Sequence, residues 1–321
     1  IYTGEDTLSL HDALPISQRI SLTHGDLAKI SVTTQPSSGT ATGETLNVTP
    51  VVKLLDASNN VVTGYANTPM SVALVSSANG LTLTGTALQQ VVANTATATA
   101  TGGIADFGTL KVIGIPGSQN DLNYKLKFTL DGVTSVTPVL SDAFYVTHGA
   151  PASVEVTQTP VAGMKSGTTF TTPAKVAIRD TYGNLVTNHS TSYMVASLVD
   201  NGNTVAGELN NSGSNNKARI QVVNGIATFN ELTLAGGTAE HYKLKFSLEG
   251  TNFETNPDDI AHPTNDLQIT AGDPYQLSVA TQAITRETGE ELTQNPVVLL
   301  LDKWGNRITS HTPMTVEMGV S

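Results

Sequence analysis

Apolar and polar residues alternate at Tyr124-Lys125-Leu126-Lys127-Phe128-Thr129-Leu130, and the alternation returns at Tyr242-Lys243-Leu244-Lys245-Phe246-Ser247-Leu248. A period of two places Tyr, Leu and Phe on one face and Lys with Thr or Ser on the other, as in a half-buried antiparallel strand. A second strand ends at each of Asp56, Asp180 and Asp302. The residues two and four before each Asp are Leu54 and Val52, Ile178 and Val176, and Leu300 and Val298, which share a face and should enter an interior. The segment GGIADFGTL from Gly102 recurs as NGIATFNEL from Asn224, so Phe107 and Phe229 are equivalent. Short strands broken by Gly, Asn and Pro, with no 3.6-residue pattern, predict an all-β protein of antiparallel β-sandwich type.

The strands belong to a repeat. HGDLAKISVTTQP begins at His24, HGAPASVEVTQTP at His148 and AGDPYQLSVATQA at Ala271, so the restarts lie 124 and 123 residues apart. The matching turns at Asp56, Asp180 and Asp302 lie 124 and 122 residues apart. A period of that length is the size of a domain with its own core, longer than a solenoid unit. The sequence predicts repeat 1 over 26–147, repeat 2 over 149–270 and the N-terminal part of repeat 3 over 272–321. Residues 18–25 read as the last strand of a truncated upstream repeat, because RISLTHG from Arg19 aligns with FYVTHG from Phe144 and LQITAG from Leu267. Residues 1–17 match nothing in the repeats. Their DTLSLHDALPIS string looks like translated sequencing adapter and is set aside as a non-native head. The chain therefore reads as a fragment of a longer tandem array. Short junctions containing Gly149-Ala150-Pro151 and Gly272-Asp273-Pro274, where glycine supplies a bend and proline fixes φ, predict a semi-rigid, elongated arrangement.

Composition narrows the function classes. The chain is 39% hydrophobic but only 13% charged, against roughly 25% for an ordinary domain. Thr, Ser, Asn and Gly fill the difference, which suits a β-sheet surface that stays soluble with few charges. A net charge of −11 argues against nucleic acid and anionic membrane as partners. With no cysteine there is neither a disulfide framework nor a thiolate zinc site, and no apolar run reaches membrane-helix length.

The most specific local pattern is Asp180-Thr181-Tyr182-Gly183-Asn184 with Asp302-Lys303-Trp304-Gly305-Asn306, preceded by Asp56-Ala57-Ser58-Asn59-Asn60. Gly183 and Gly305 stand where the first copy has Asn59, and Gly and Asn are the residues that best accept positive φ. These are structural turn candidates in which Asp accepts backbone N–H bonds. Calcium on Asp56, Asp180 and Asp302 is the rival reading, weakened because each copy offers one carboxylate where a tight site wants several. Glu254, Asp258 and Asp259 form an acidic loop, and the pairs Lys125/Lys127 and Lys243/Lys245 an outward strand face. Both read as solvated surface. His24 and His148 are equivalent, but the third copy has Ala271. His189, His241, His262 and His311 lack partners at metal-ligand spacing, and no catalytic motif occurs, so no catalytic residue and no cofactor are assigned. Trp304, the single tryptophan, sits on a turn and is the candidate binding residue for a sugar or a partner.

Tyr124 and Tyr242 each open a strand two residues before Leu126 and Leu244. In immunoglobulin-type sandwiches a Tyr two residues before the second core Cys bonds back to nearby backbone, and here Leu takes the cysteine's place. The order of motifs (a QP-type first strand, D-x-x-G-N-x-[VI]-T, G-[IV]-A-x-F, Y-x-L-x-[FA]) resembles the bacterial immunoglobulin-like tandem repeats of large surface adhesins, in the broad invasin/intimin-like group. The resemblance spans 18–321. It implies an extracellular, cell-surface stalk without enzymatic activity, holding a distal binding region away from the cell. The implied partners are an unknown surface protein or glycan and neighbouring repeats of the same chain, with multivalent contacts. The alternatives are an accessory array of a secreted carbohydrate-active enzyme and a subunit of a surface layer or filament.

Overall fold

The structure, a computed structural model, describes residues 21–321 except 66, 79–89, 93–96, 162–163, 200–206, 210–216, 239–241, 256–266, 285–286, 288, 310–311, 318 and 320–321. The set-aside head, the first residues of the leading strand, Asp258, Asp259, His241, His262 and His311 lie outside the described residues. Every element among the described residues is a strand. Contacts divide the chain into two compact units that meet at Val146 and Thr147.

The first unit contains β1 (Leu27–Thr34), β2 (Thr40–Ala41), β3 (Val51–Asp56), β4 (Pro69–Ser76), β5 (Gln90–Val92), β6 (Thr97–Thr99), β7 (Ile104–Asp106), β8 (Lys111–Ile113), β9 (Tyr124–Leu130), β10 (Val139–Leu140) and β11 (Val146–Thr147). One sheet has the order β1-β3-β7 and the other β10-β9-β4-β6. The pairing is antiparallel and sequence neighbours are often not sheet neighbours, so the chain crosses between layers. This is the arrangement of an immunoglobulin-like sandwich. Alternation along β9 is complete: Tyr124, Leu126, Phe128 and Leu130 are buried while Lys125, Lys127 and Thr129 face outward. Val52 and Leu54 of β3 are fully buried from the opposite side. The layers meet at Phe107 and Phe128, whose ring centroids lie 5.1 Å apart.

The second unit contains β12 (Pro151–Gln158), β13 (Met164–Lys165), β14 (Thr168–Thr169), β15 (Ala174–Asp180), β16 (Tyr193–Val199), β17 (Gly207–Leu209), β18 (Lys217–Gln221), β19 (Ile226–Phe229), β20 (Thr233–Gly236), β21 (Lys243–Leu248), β22 (Ile269–Thr270), β23 (Gln276–Thr281) and β24 (Val297–Leu301). Sheets β12-β15-β19 and β18-β16-β21 repeat the two layers, and Phe229 and Phe246 repeat the aromatic contact at 5.3 Å. The β1–β3 pairing shifts register between Val32 and Thr34, β12–β15 between Val156 and Gln158, and β23–β24 between Val279 and Thr281, so one bulge is copied three times.

The Gly-Ile-Ala turn explains itself locally. Gly103 and Gly225 have φ of 78° each, and a Cβ there would fall 2.4 Å from the Val62 carbonyl oxygen and 2.3 Å from that of Val186. Only glycine admits both the left-handed backbone and the contact. The Gly103 and Gly225 carbonyls in turn accept the N–H groups of Leu54 and Ile178, tying the turn to the strand that ends at Asp. Tyr124 and Tyr242 behave as corner residues. The Tyr124 hydroxyl accepts the Ile115 N–H at 2.7 Å and that of Tyr242 donates to the Gly237 carbonyl at 3.1 Å, with Leu126 and Leu244 fully buried behind them.

Each unit has its own interior, one centred on Phe107, Phe128 and Tyr124, the other on Phe229, Phe246 and Tyr242. Phe229→Ala should therefore destabilise the second sandwich by about 4 kcal/mol, the usual cost of emptying a buried phenylalanine site. Urea unfolding should then resolve two transitions, with the one assigned to the first unit unmoved.

Candidate functional site

Among the described residues, a polar device present in all three copies is built on the Asp that closes β3 and β15 and follows β24. Asp56, Asp180 and Asp302 are 2–3% exposed, a burial that a carboxylate tolerates only when its oxygens are hydrogen-bonded. Each accepts four N–H bonds. Asp180 Oδ1 takes the backbone N–H groups of Tyr182 and Asn184, both at 2.9 Å, and Oδ2 takes the Asn184 Nδ2 at 3.0 Å. The fourth donor is the Gly149 N–H at 2.8 Å, from 31 residues upstream. Asp56 has the same set in Ser58, Asn60, the Asn60 side chain and Gly25. Asp302 has it in Trp304, Asn306, the Asn306 side chain and Gly272.

The sequence places these donors. Asn59, Gly183 and Gly305, at φ of 69°, 80° and 80°, turn the backbone so that the N–H of the next residue points back at Oδ1. Asn60, Asn184 and Asn306, four residues after each Asp, then swing the side-chain amide onto Oδ2. The junction glycine does more than bend the chain. Its N–H fastens the entry of each copy's first strand to the end of the strand it pairs with. Gly272 is also held by crowding, since a Cβ there would come within 2.9 Å of the Ser166 carbonyl oxygen.

Electrostatics follow the donors. The Asn60 side chain, followed by the Gly25 N–H, lowers Asp56 to about 2. Burial pushes Asp180 up, but the Gly149 N–H and the Asn184 amide outweigh it and hold the carboxyl below its ordinary value. Burial likewise pushes Asp302 up, and the Asn306 side chain and Gly272 N–H outweigh it and hold the carboxyl below its ordinary value. Four N–H donors aimed at one carboxylate are the opposite of a cation site, whose surroundings must present oxygens. Among the described residues no group of three or more His, Asp or Glu is placed to hold a metal.

In the third copy the turn reaches further. Asn306 Nδ2 donates to the Gly236 carbonyl at 2.8 Å and its Oδ1 accepts the Thr238 N–H at 2.9 Å. Both N–H groups of that amide and one lone pair of its oxygen are thereby used. Ser166 N–H donates to the Thr270 carbonyl at 2.9 Å, and Lys165 pairs with Asp273 at 3.3 Å, so several polar contacts converge where β22 passes into β23.

The remaining candidates are scattered. His24 accepts the Thr63 N–H on Nε2 at 3.2 Å and donates from Nδ1 to its neighbour Gly25. His148 repeats the glycine contact, and His189 meets Ser192 at 2.7 Å. Lys245 faces outward and pairs with Glu254 at 3.2 Å. Trp304 is 39% exposed at the tip of the third turn. Sequence reasoning missed the long-range glycine donor and the stack of Arg219 on Tyr193, 3.3 Å above the ring centroid and bidentate with Glu249. Alternation of Tyr193 and Arg219 on paired strands was the available signal.

No known family's sequence pattern matches the chain, and no curated protein does. Among solved structures it is similar to the Escherichia coli adhesin FdeC, at 20% identity over 90% of this chain and 78% of that one, with a TM-score of 0.34. It is similar to invasin, a bacterial integrin-binding protein, at 13% identity over 88% of this chain and 48% of that one, with a TM-score of 0.31. A β-glycosidase from Bacteroides vulgatus matches at 12% identity over 72% of this chain and 24% of that one, with a TM-score of 0.27. No helix among the described residues is long and apolar enough to cross a membrane.

Asp180→Asn, which swaps an acceptor for a donor facing Gly149 and Asn184, should destabilise the second unit by about 3 kcal/mol. The same carboxylates set an acid limit. Each folded pKa lies below the unfolded value of about 4. The contribution is therefore whole above that value and is lost as pH falls through the folded pKa, which is about 2 for Asp56. Melting temperature should drop between pH 4 and pH 2 in the parent, and less steeply in the triple variant Asp56→Asn, Asp180→Asn, Asp302→Asn.

Proposed function

We propose that this chain is a non-enzymatic spacer segment of an extracellular, cell-surface adhesin, whose copies set the distance to a binding region. The observation that carries the reading is the carboxylate–glycine fastening made three times at the same sequence separation of 30–31 residues. A catalytic centre needs one constellation, whereas a spacer needs one joint repeated. The polar resources conserved between copies, namely Asp, Asn and junction glycine, all go into holding backbone. The charge-poor Thr- and Ser-rich surface fits a segment that must stay soluble without attracting nucleic acid or anionic lipid. Partners are accordingly a surface protein or glycan, with weak contacts summed over copies.

Two measurements test this. Pulled end to end by force spectroscopy, the chain should show discrete unfolding events, each releasing roughly 40 nm as about 120 residues extend. A featureless extension at low force would refute a spacer role. We further propose that the fastening carboxylates work without calcium, and EDTA should leave the melting temperature within a degree. A drop of several degrees would reinstate a bound cation.

A further inference from the structure

Where β22 runs into β23, the second unit carries a cleft of about 310 Å³, at the lower end of the size range of small-molecule sites. Trp304 and Tyr275 line it together, 39% and 69% exposed. Neither aromatic stands at a core position. The residues equivalent to Tyr275 are Ala28, exposed, and Ala152, half-buried. Those equivalent to Trp304 are Ser58, exposed, and Tyr182, half-buried. A tyrosine where both other copies have Ala is not required by the packing of the fold, and the position of Trp304 accepts Ser in the first copy.

Both residues are also held at their backbone. The Trp304 N–H is held by Asp302 at 2.8 Å, and the Tyr275 N–H donates to the Leu301 carbonyl at 2.8 Å directly after Pro274. A binding group held in place before its ligand arrives loses little freedom on contact.

The charges of the cleft select the ligand. Asp302 is taken up by its four N–H donors, and Asp273 is paired with Lys165 at 3.3 Å. Glu208 and Lys303 are left, one of each sign and both exposed. A cationic peptide would meet Lys303 and an acidic sugar Glu208, so neither finds a cleft of a single opposite sign. A neutral sugar ring satisfies all four groups, its C–H face against the aromatic rings and its hydroxyls donating to Glu208 and accepting from Lys303. We infer that the cleft formed by Tyr275, Trp304, Glu208 and Lys303 is a binding site for neutral oligosaccharide. The inference is independent of the spacer role, which requires no ligand.

Trp304 is the chain's single tryptophan, so its fluorescence reports on this cleft directly. The full chain is titrated with maltohexaose, cellohexaose, mannohexaose and galactohexaose, with hexa-arginine and a heparin hexasaccharide as charged comparators. At least one neutral sugar should shift Trp304 emission saturably, with an affinity unchanged between low and high salt. Tyr275→Ala, a change at an exposed position, should weaken that affinity about tenfold while the melting temperature holds. Calorimetry on Trp304→Ala should show the same loss without the fluorophore. Three results would overturn the inference: no response to any neutral sugar at millimolar concentration, salt-sensitive binding of a charged comparator alone, or sugar binding undiminished by both substitutions.

Discussion

A buried carboxylate surrounded by four N–H donors fixes the entry of each copy. Burying the Asp would be prohibitive without those donors. Three of them come from the turn that the Asp itself starts, so the local motif builds most of a cage. The fourth, from a glycine about thirty residues earlier, converts a turn into a fastening between the start of one strand and the end of its neighbour. The strand pair and the cage support each other: the register brings glycine to Oδ2, and the carboxylate holds the first residues of the strand against fraying.

Behind the cage lies a sandwich of ordinary chemistry. Alternating side chains of β9 and β21 fill one wall, and the residues two and four before Asp56 and Asp180 fill the other. The Gly-Ile-Ala turn closes on the same strand, through a contact with Val62 or Val186 too close for any side chain. Asp, glycine turn and phenylalanine thus all converge on β3 in one unit and β15 in the other. A defect at that strand would reach the fastening, the interior and the edge together.

Much of this was legible in the sequence because it is periodic or local. The strands at Tyr124 and Tyr242, the inward pairs such as Val176 and Ile178, and the positive-φ positions at Asn59, Gly183 and Gly305 follow from alternation and from the special freedom of Gly and Asn. The aromatic corner was readable too, down to a leucine in the second cysteine's place. Contacts between residues distant along the chain were not legible. Gly149 reads as a bend, and its N–H as a donor to Asp180 becomes visible only once the register sets Pro151 opposite Asp180. Asn184 and Asn306 read as turn formers, with nothing in the sequence to show that their amides would complete the cage. Trp304 stood out as a lone indole, but Tyr275 lies 29 positions away and gives no sign that the two share a cleft.

In all three copies the four donors to the carboxylate lie in one hairpin and the turn that follows it, from Gly25 to Asn60, Gly149 to Asn184 and Gly272 to Asn306. For a chain emerging from its N-terminal end, every partner of the fastening has therefore appeared before the later strands of that copy. The bonds close a short loop within one copy, and that short separation favours closure in place over pairing with the equivalent strand of a sister copy.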